Sequence, residues 1–359
     1  MRIAQVAPLY ERVPPPGYGG IELVVGLLTD ELVRRGHEVT LFASGDSETL
    51  ARLNAVHERA LRLDPHVREH GIYEMMQMSR VYQRADQFDI IHSHVGCVAL
   101  SYSGLVKTPT VHTLHGIFTP DNSRIYRQCA QQPFVSISDA QREPGLGLNY
   151  CSTVYNGIDS QLYQFRAESA QEPYLAFVGR ISPEKGPLQA IEVARRTGWT
   201  LKMAGKVDPV DRRFYSEQVE PLIDGVQIQY LGEVSHHQKA ELLGGAVATL
   251  FPITWREPFG LVMIESMACG TPVIGMALGA APEVIRDGVT GYLVNSVDEM
   301  AERLGQIRTI SRQACRDHVM STFTVERMTD GYEAAYLQVL ASRNGSLTAR
   351  AKAALMGQK

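Results

Sequence analysis

Residues 256–274 read R-E-P-F-G-L-V-M-I-E-S-M-A-C-G-T-P-V-I, and this stretch decides how the rest of the chain is read. The run before it, A-V-A-T-L-F-P-I at 246–253, is apolar and partly β-branched and suits a buried strand. Pro258 fits a first helical position, where its missing N–H costs nothing. Gly270 ends the helix, and Thr271-Pro272 cannot continue it. The unit is strand, tight loop, short helix, loop, strand. The helix is almost wholly apolar, so a carboxylate inside it needs a reason. Two carboxylates frame it: Glu257 at the mouth, and Glu265 about two turns deeper. A helix N-terminus offers free N–H groups and the positive end of a dipole, which suits an anionic or hydroxyl-rich ligand. One elongated polyol spanning both acids is a natural occupant. Without its surroundings, a Glu pair at this spacing reads more simply as a capping acid and a paired core acid.

The whole chain sets the frame. Its 359 residues suggest two domains. Hydrophobic content of 44% and charged content of 21% describe an ordinary globular protein. A net charge of −4 gives no reason to expect a nucleic-acid partner. Cys97, Cys129, Cys151, Cys269 and Cys315 are scattered without metal-type spacing and read as reduced thiols, which points to the cytoplasm. M-R-I-A-Q-V-A-P at the N-terminus reads as a first strand and not a signal peptide. The absence of a run of about 20 apolar residues gives no transmembrane segment, while peripheral contact with the inner face of a membrane stays open.

Strands alternate with helices from the start. Residues 2–8 read as a buried strand, a Pro/Gly loop follows from Tyr10 to Gly20, and 21–35 has helical periodicity closed by Gly36. Gly19-Gly20 before that helix suits a backbone approach to a phosphate, although it is not G-x-G-x-x-G. Strands follow at 37–42, 88–93, 109–114 and 133–138, a helical stretch at 64–87, and a short strand and turn at 154–159 around Asn156-Gly157. His92 and His94 share one strand face, with no nearby carboxylate to complete a metal set. His115 lies just past a strand's carboxyl end, where open α/β sheets bind ligands, whereas His112 lies within the strand. Residues 161–172 are polar and unpatterned, as in a linker.

The alternation then restarts, which argues for a second doubly wound unit. Strands are expected at 174–179, 200–205 and 227–232. Arg180 and Lys185 sit in the Gly-containing loop R-I-S-P-E-K-G before a helix, which suits a diphosphate. The loop at Glu233-Val234 is placed for a nucleobase, and His236-His237 reads as a surface pair at a helix start. Residues 279–294 read as loop, short helix, turn and strand, with helices at 297–308, 311–320 and 324–340.

Five motifs in order carry a resemblance covering roughly residues 1–340: G-Y-G-G-I-E, H-G at 115–116, N-G-I-D at 156–159, G-R-x-x-x-E-K-G at 179–186, and E-P-F-G-L-V…E-S-M-A-C-G-T-P-V-I. Together they resemble glycosyltransferase family 4 (group 1), retaining sugar-nucleotide transferases of the GT-B fold. The resemblance implies two Rossmann-like domains facing across a cleft. The acceptor-side domain would be 1–160 and the nucleotide-sugar domain 173–322. A helix at 323–342 would cross back to the first domain, leaving a mobile tail at 343–359. It implies that Glu257 holds the donor sugar's hydroxyls and Glu265 the ribose, with the N–H groups of Phe259, Gly260 and Leu261 facing the sugar. Arg180 and Lys185 would bind the diphosphate, Gly19 and Gly20 would approach it, and His115 would lie near donor sugar and acceptor. It implies a hexosyl transfer to a hydroxyl acceptor with an α-glycoside product. A nucleotide-diphosphate sugar is the co-substrate, with no other cofactor and no metal. Donor base, sugar, acceptor residues and oligomeric state stay open. Rival readings are a sugar-nucleotide epimerase on the same fold and a non-catalytic sugar-nucleotide binder. A NAD-dependent oxidoreductase is more distant, because the dinucleotide fingerprint is missing.

Overall fold

The computed structural model describes residues 1–17 and 19–356, with side chains as far as Ser342. Two wholly parallel sheets form two domains. The first holds β1 (Arg2–Val6), β2 (Glu38–Phe42), β3 (Arg52–Asn54), β4 (Ile90–Ser93), β5 (Thr110–Leu114), β6 (Phe134–Ser136) and β7 (Tyr150–Thr153), in the order β3-β2-β1-β4-β5-β6-β7. The second holds β8 (Tyr174–Val178), β9 (Thr200–Ala204), β10 (Ile228–Tyr230), β11 (Ala248–Phe251), β12 (Val273–Met276) and β13 (Gly291–Val294), in the order β10-β9-β8-β11-β12-β13. Central strands are buried along their length, as in β4, β5, β11 and β12. Helices on both faces leave such strands no solvent side, which is why they read as continuous apolar runs.

Strand order reverses between β1 and β4 in the first sheet and between β8 and β11 in the second. Ligands bind at such switch points, outside the strands' carboxyl ends. The Gly19–Gly20 turn precedes the helix that follows β1, and the loop of Arg180 follows β8. The loop of Glu257 follows β11, so the crevice lies where the two switch points meet.

Several local expectations change. The short helix runs Leu261–Ala268, so Pro258 lies before it and not at its first position. Gly260, at φ 83°, turns the chain into the helix instead, a left-handed conformation that favours glycine. The last strand of the first sheet is Tyr150–Thr153, and 154–159 contributes only a bridge from Ile158 to Thr324. The edge strand β3 is too short to leave a periodic signal. The helix expected over 64–87 is confined to His70–Tyr82.

The final helix runs Val325–Met356, past the end expected at 340. Met328, Tyr332, Tyr336 and Val339 pack with Ile3, Val24, Leu28, Val111 and Val154 of the first domain. The helix completes that domain's core, although it follows the second domain in sequence. The expectation of a mobile tail at 343–359 falls on residues whose side chains lie outside the described part. Among the described residues no helix is long and apolar enough to cross a membrane.

Candidate active site

Two adjoining cavities lie in the crevice. The larger, of about 310 Å³, is lined by Gly20, His115, Arg180, Lys185, Trp255, Glu257 and the backbone turn Phe259–Leu261, among others. The smaller, of about 150 Å³, includes Gly19, Glu233, Val234, Lys239 and Glu265. Gly20, Val178, Gly179, Leu261 and Val262 line both, so the two form one elongated space. Each candidate site residue lines one or both of them: His115, Arg180, Lys185, Glu257, Phe259 and Gly260 at one end, Gly19, Glu233, Val234 and Glu265 at the other, and Gly20 and Leu261 at both.

The two carboxylates are built alike. Glu257 is buried, and its Oε2 accepts from Lys185 Nζ at 2.5 Å and from Trp255 Nε1 at 2.8 Å. Glu265 is buried, and its Oε1 accepts from Lys239 Nζ at 2.6 Å and from Tyr163 OH at 2.7 Å. Each acid is thus held by one lysine and one aromatic with a polar tip. The lysine ammonium lies 5.1 Å from the Trp255 ring in one case and 6.0 Å from the Tyr163 ring in the other. All four bonds fall on one oxygen of each carboxylate. Buried carboxylates persist when paired and hydrogen-bonded, and the second oxygen of each has no side-chain hydrogen bond among the described residues.

Arg180 pairs with Glu184 at 2.6 Å and reaches Asp208 at 3.5 Å. Gly186, at φ 77°, closes this loop, and a Cβ there would collide with the Pro252 carbonyl. Gly279, at φ 55°, lies against the backbone of Glu257 so closely that any side chain would displace it.

His115 follows directly after β5, and burial holds its pKa down at about 4. His92 and His94 are also buried well below the usual histidine value, chiefly by loss of solvation. They are hydrogen-bonded to Thr113 and Tyr336, and to Gln5 and His115. Among the described residues no group of three or more His, Cys, Asp or Glu is placed to hold a metal ion. His236, expected as a surface residue, bonds the Pro15 carbonyl across the crevice at 3.0 Å. Further contacts join the domains: Ser138 donates to Pro258 O at 2.7 Å, and the N–H groups of Asp139 and Ala140 donate to the Glu283 carboxylate at 2.8 and 2.6 Å.

Sequence reasoning missed Trp255, Lys239, Tyr163 and Gly279. Trp255 is two residues from Glu257, and an indole beside a buried acid is a usable signal. Lys239 follows the Glu233 loop in the first turns of the helix His236–Gly245. Tyr163 sits in the stretch read as a passive linker, yet it is buried against Glu265. Nothing local to its sequence marks it.

The chain matches two family descriptions end to end: "Glycosyltransferase Family 4" over residues 18–162 and "Glycosyl transferases group 1" over 161–316. It is 28% identical over 307 residues to the D-inositol 3-phosphate glycosyltransferases of Mycobacterium bovis and Mycobacterium tuberculosis, covering 72% of this chain. The match spans 63% of those relatives' length. A solved glycosyltransferase involved in avilamycin A biosynthesis superposes with a TM-score of 0.72 at 26% identity, over 95% of this chain and 98% of its own. Sucrose-phosphate synthase from Thermosynechococcus elongatus superposes with a TM-score of 0.79 at 20% identity, over 95% and 100%. An Anabaena protein in complex with UDP and glucose gives a TM-score of 0.74 at 18% identity, over 94% and 100%. The fold is that of these GT-B proteins.

Proposed function

The chain belongs to the group 1 (family 4) glycosyltransferases, and on that premise we propose that it moves a hexosyl unit from a nucleotide-diphosphate sugar to a hydroxyl acceptor with retention at the anomeric carbon. One observation carries the reading: two carboxylates, each held by a lysine and an aromatic through one oxygen, stand at the two ends of a single elongated crevice. Glu257 takes the sugar hydroxyls and Glu265 the ribose. Arg180 and Lys185, with the N–H groups at 259–261, face the diphosphate between them.

The chemistry follows from that placement. The bond from the anomeric carbon to the phosphate oxygen breaks, and its electron pair goes to the diphosphate. Arg180 and Lys185 stabilise that charge from fixed positions, which is worth more than the same charges in water. The acceptor oxygen bonds to the same face of the sugar, and its proton passes to the leaving phosphate oxygen. Glu257 is the carboxylate of the larger cavity and is engaged by Lys185 and Trp255, so a covalent route through it is disfavoured. An α-linked donor then gives an α-glycoside.

The acceptor has room in a third cavity of about 290 Å³, which shares Trp255 and Pro258 with the larger one and is lined also by Ile117, Phe118 and Arg256. The test is calorimetry and thermal shift against UDP-glucose, UDP-galactose, UDP-N-acetylglucosamine, GDP-mannose, ADP-glucose and NAD. A bound donor at 100 times its dissociation constant adds about 2.7 kcal/mol. Glycoside formation with retained configuration, undiminished by a chelator, supports the reading. Binding of NAD alone overturns it, and sugar conversion without an acceptor points to an epimerase.

A further inference from the structure

A continuous line of hydrogen bonds, half-buried at its cavity end and buried beyond it, leads from the larger cavity through the first sheet to the helix Val325–Met356. His115 Nε2 lies 2.9 Å from His94 Nδ1, and His94 Nε2 lies 3.1 Å from Gln5 Oε1. Gln5 Nε2 donates to Tyr336 OH at 3.1 Å, and Tyr336 OH lies 2.7 Å from His92 Nδ1. His92 Nε2 lies 2.7 Å from Thr113 Oγ1, which donates to Tyr332 OH at 3.3 Å. Gln5, His92, His94, Thr113, Tyr332 and Tyr336 are all buried.

Each link allows one proton, and the Gln5 amide sets the direction. Its oxygen faces His94, so His94 carries its proton on Nε2 and offers a bare Nδ1. That lone pair takes the proton on His115 Nε2. A neutral His115 then has a bare Nδ1, the nitrogen without a partner among the described residues. On the other side the Gln5 amino group donates to Tyr336, whose hydroxyl proton goes to His92 Nδ1. His92 donates from Nε2 to Thr113, and Thr113 to Tyr332. From Gln5 to Thr113 every donor meets an acceptor, and the line ends at the Tyr332 hydroxyl. Burial keeps the three histidines neutral, since none has a carboxylate partner among the described residues and desolvation disfavours the charged form. Turning the amide over would reverse every bond and leave a proton on His115 Nδ1.

We propose that Gln5 and Tyr336 are positioning residues that fix His115 as the Nε2–H tautomer, so that the nitrogen left for the donor cavity accepts a hydrogen bond from a sugar hydroxyl. This rests on the reading of His115 as a donor-sugar contact. The C-terminal helix therefore does more than complete the core: it carries the phenol that orients a cavity histidine through two intervening side chains.

Histidine tautomers are read directly by long-range proton–nitrogen NMR of the full chain labelled with ¹⁵N-histidine, with His115→Gln to assign the resonance. At pH 7 the expected state of His115 is Nε2–H. Tyr336→Phe keeps the ring and removes the hydroxyl, and Gln5→Met removes the amide at similar volume. Both are expected to give His115 a mixed tautomer. Both should also lower kcat/KM for the sugar donor by roughly tenfold, the worth of one ordinary hydrogen bond, while UDP affinity by calorimetry is unchanged. An Nδ1–H state in the wild-type chain overturns the proposal, as does an unaltered Nε2–H state in both variants. The NMR result stands apart from turnover. A chain with the expected tautomers but no transfer from any donor would refute the transferase reading and leave the hydrogen-bond assignment intact.

Discussion

Lys185 Nζ lies 2.5 Å from Oε2 of Glu257, so the cation proposed for the diphosphate is paired with the acid proposed for the sugar. Lys239 stands in the same relation to Glu265 at 2.6 Å. Such pairs keep charged groups in a mostly buried site until a ligand with both an anionic and a hydroxylic end can engage them. A substitution that removes one partner strands the other.

Lys185→Met is therefore expected to lower transfer by about 10²- to 10³-fold, as loss of a charge-stabilising donor does elsewhere. It should also destabilise the fold by about 3 kcal/mol, because Glu257 is left buried and unpaired. Adding Glu257→Gln should recover most of that stability and none of the transfer. Urea melts and initial rates on the single and double variants separate the two effects. Recovery of activity in the double variant would show that the pair is structural.

Glu257 and Glu265 should be distinguishable by ligand. Glu265→Gln is expected to weaken UDP and UDP-sugar equally, by about tenfold or more, since a hydrogen bond to a charged group contributes about 1.5–3 kcal/mol. Glu257→Gln should weaken the sugar nucleotide and leave UDP affinity unchanged. Titration calorimetry with both ligands decides it, and the opposite pattern would reverse the orientation of the donor.

Gly279→Ala is expected to abolish donor binding without touching any ligand. At φ 55° the residue lies against the Glu257 backbone, and a methyl group must move that loop. A stability loss of about 2 kcal/mol or more should accompany it. Unaltered donor affinity in the folded variant would show that the loop tolerates displacement.

Glu22 lies in the first turn of the helix Gly20–Arg34, and burial pushes its carboxyl up to about 7 from 4.5. Between those values the folded chain holds a proton that the unfolded chain has released. Stability contributed by this group therefore falls as pH rises through that window, by about 3 kcal/mol, and levels off above it. Glu22→Gln should raise stability at pH 8 and change little at pH 4.5. Equal effects at both would mean that the side chain is not protonated in the folded state.

His112 lies within β5, packed on Phe134, with both ring nitrogens buried and without a hydrogen-bond partner among the described residues. Burial lowers its pKa to about 3 from 6.5, so stability is lost as pH falls below 6.5. By pH 5 that loss is about 2 kcal/mol. His112→Leu should stabilise the chain, and more at pH 5 than at pH 7.5. A pH-independent gain would leave only the removal of unpaired polar atoms.

The alternation of apolar runs with amphipathic helices was legible because parallel strands buried on both faces leave no other pattern. The Pro/Gly loops at 10–20, 180–186 and 256–260 were legible because a chain that turns sharply beside a ligand needs those residue types. Errors fell where the signal is short. The edge strand Arg52–Asn54 and the shift of the last strand to Tyr150–Thr153 depend on pairing with neighbours.

By itself the sequence determined two doubly wound domains and the two acids, one in the loop before a short helix and one within it, since a local string carries both. Tertiary structure alone decided what holds those acids. Tyr163 comes from the interdomain stretch and Lys239 from another helix, and neither has a local reason to be there. It also decided that Tyr336, from the far end of the chain, reaches Gln5 on the first strand. A side chain's partner across such a separation is fixed by how the completed cores pack, and no spacing within the chain encodes that.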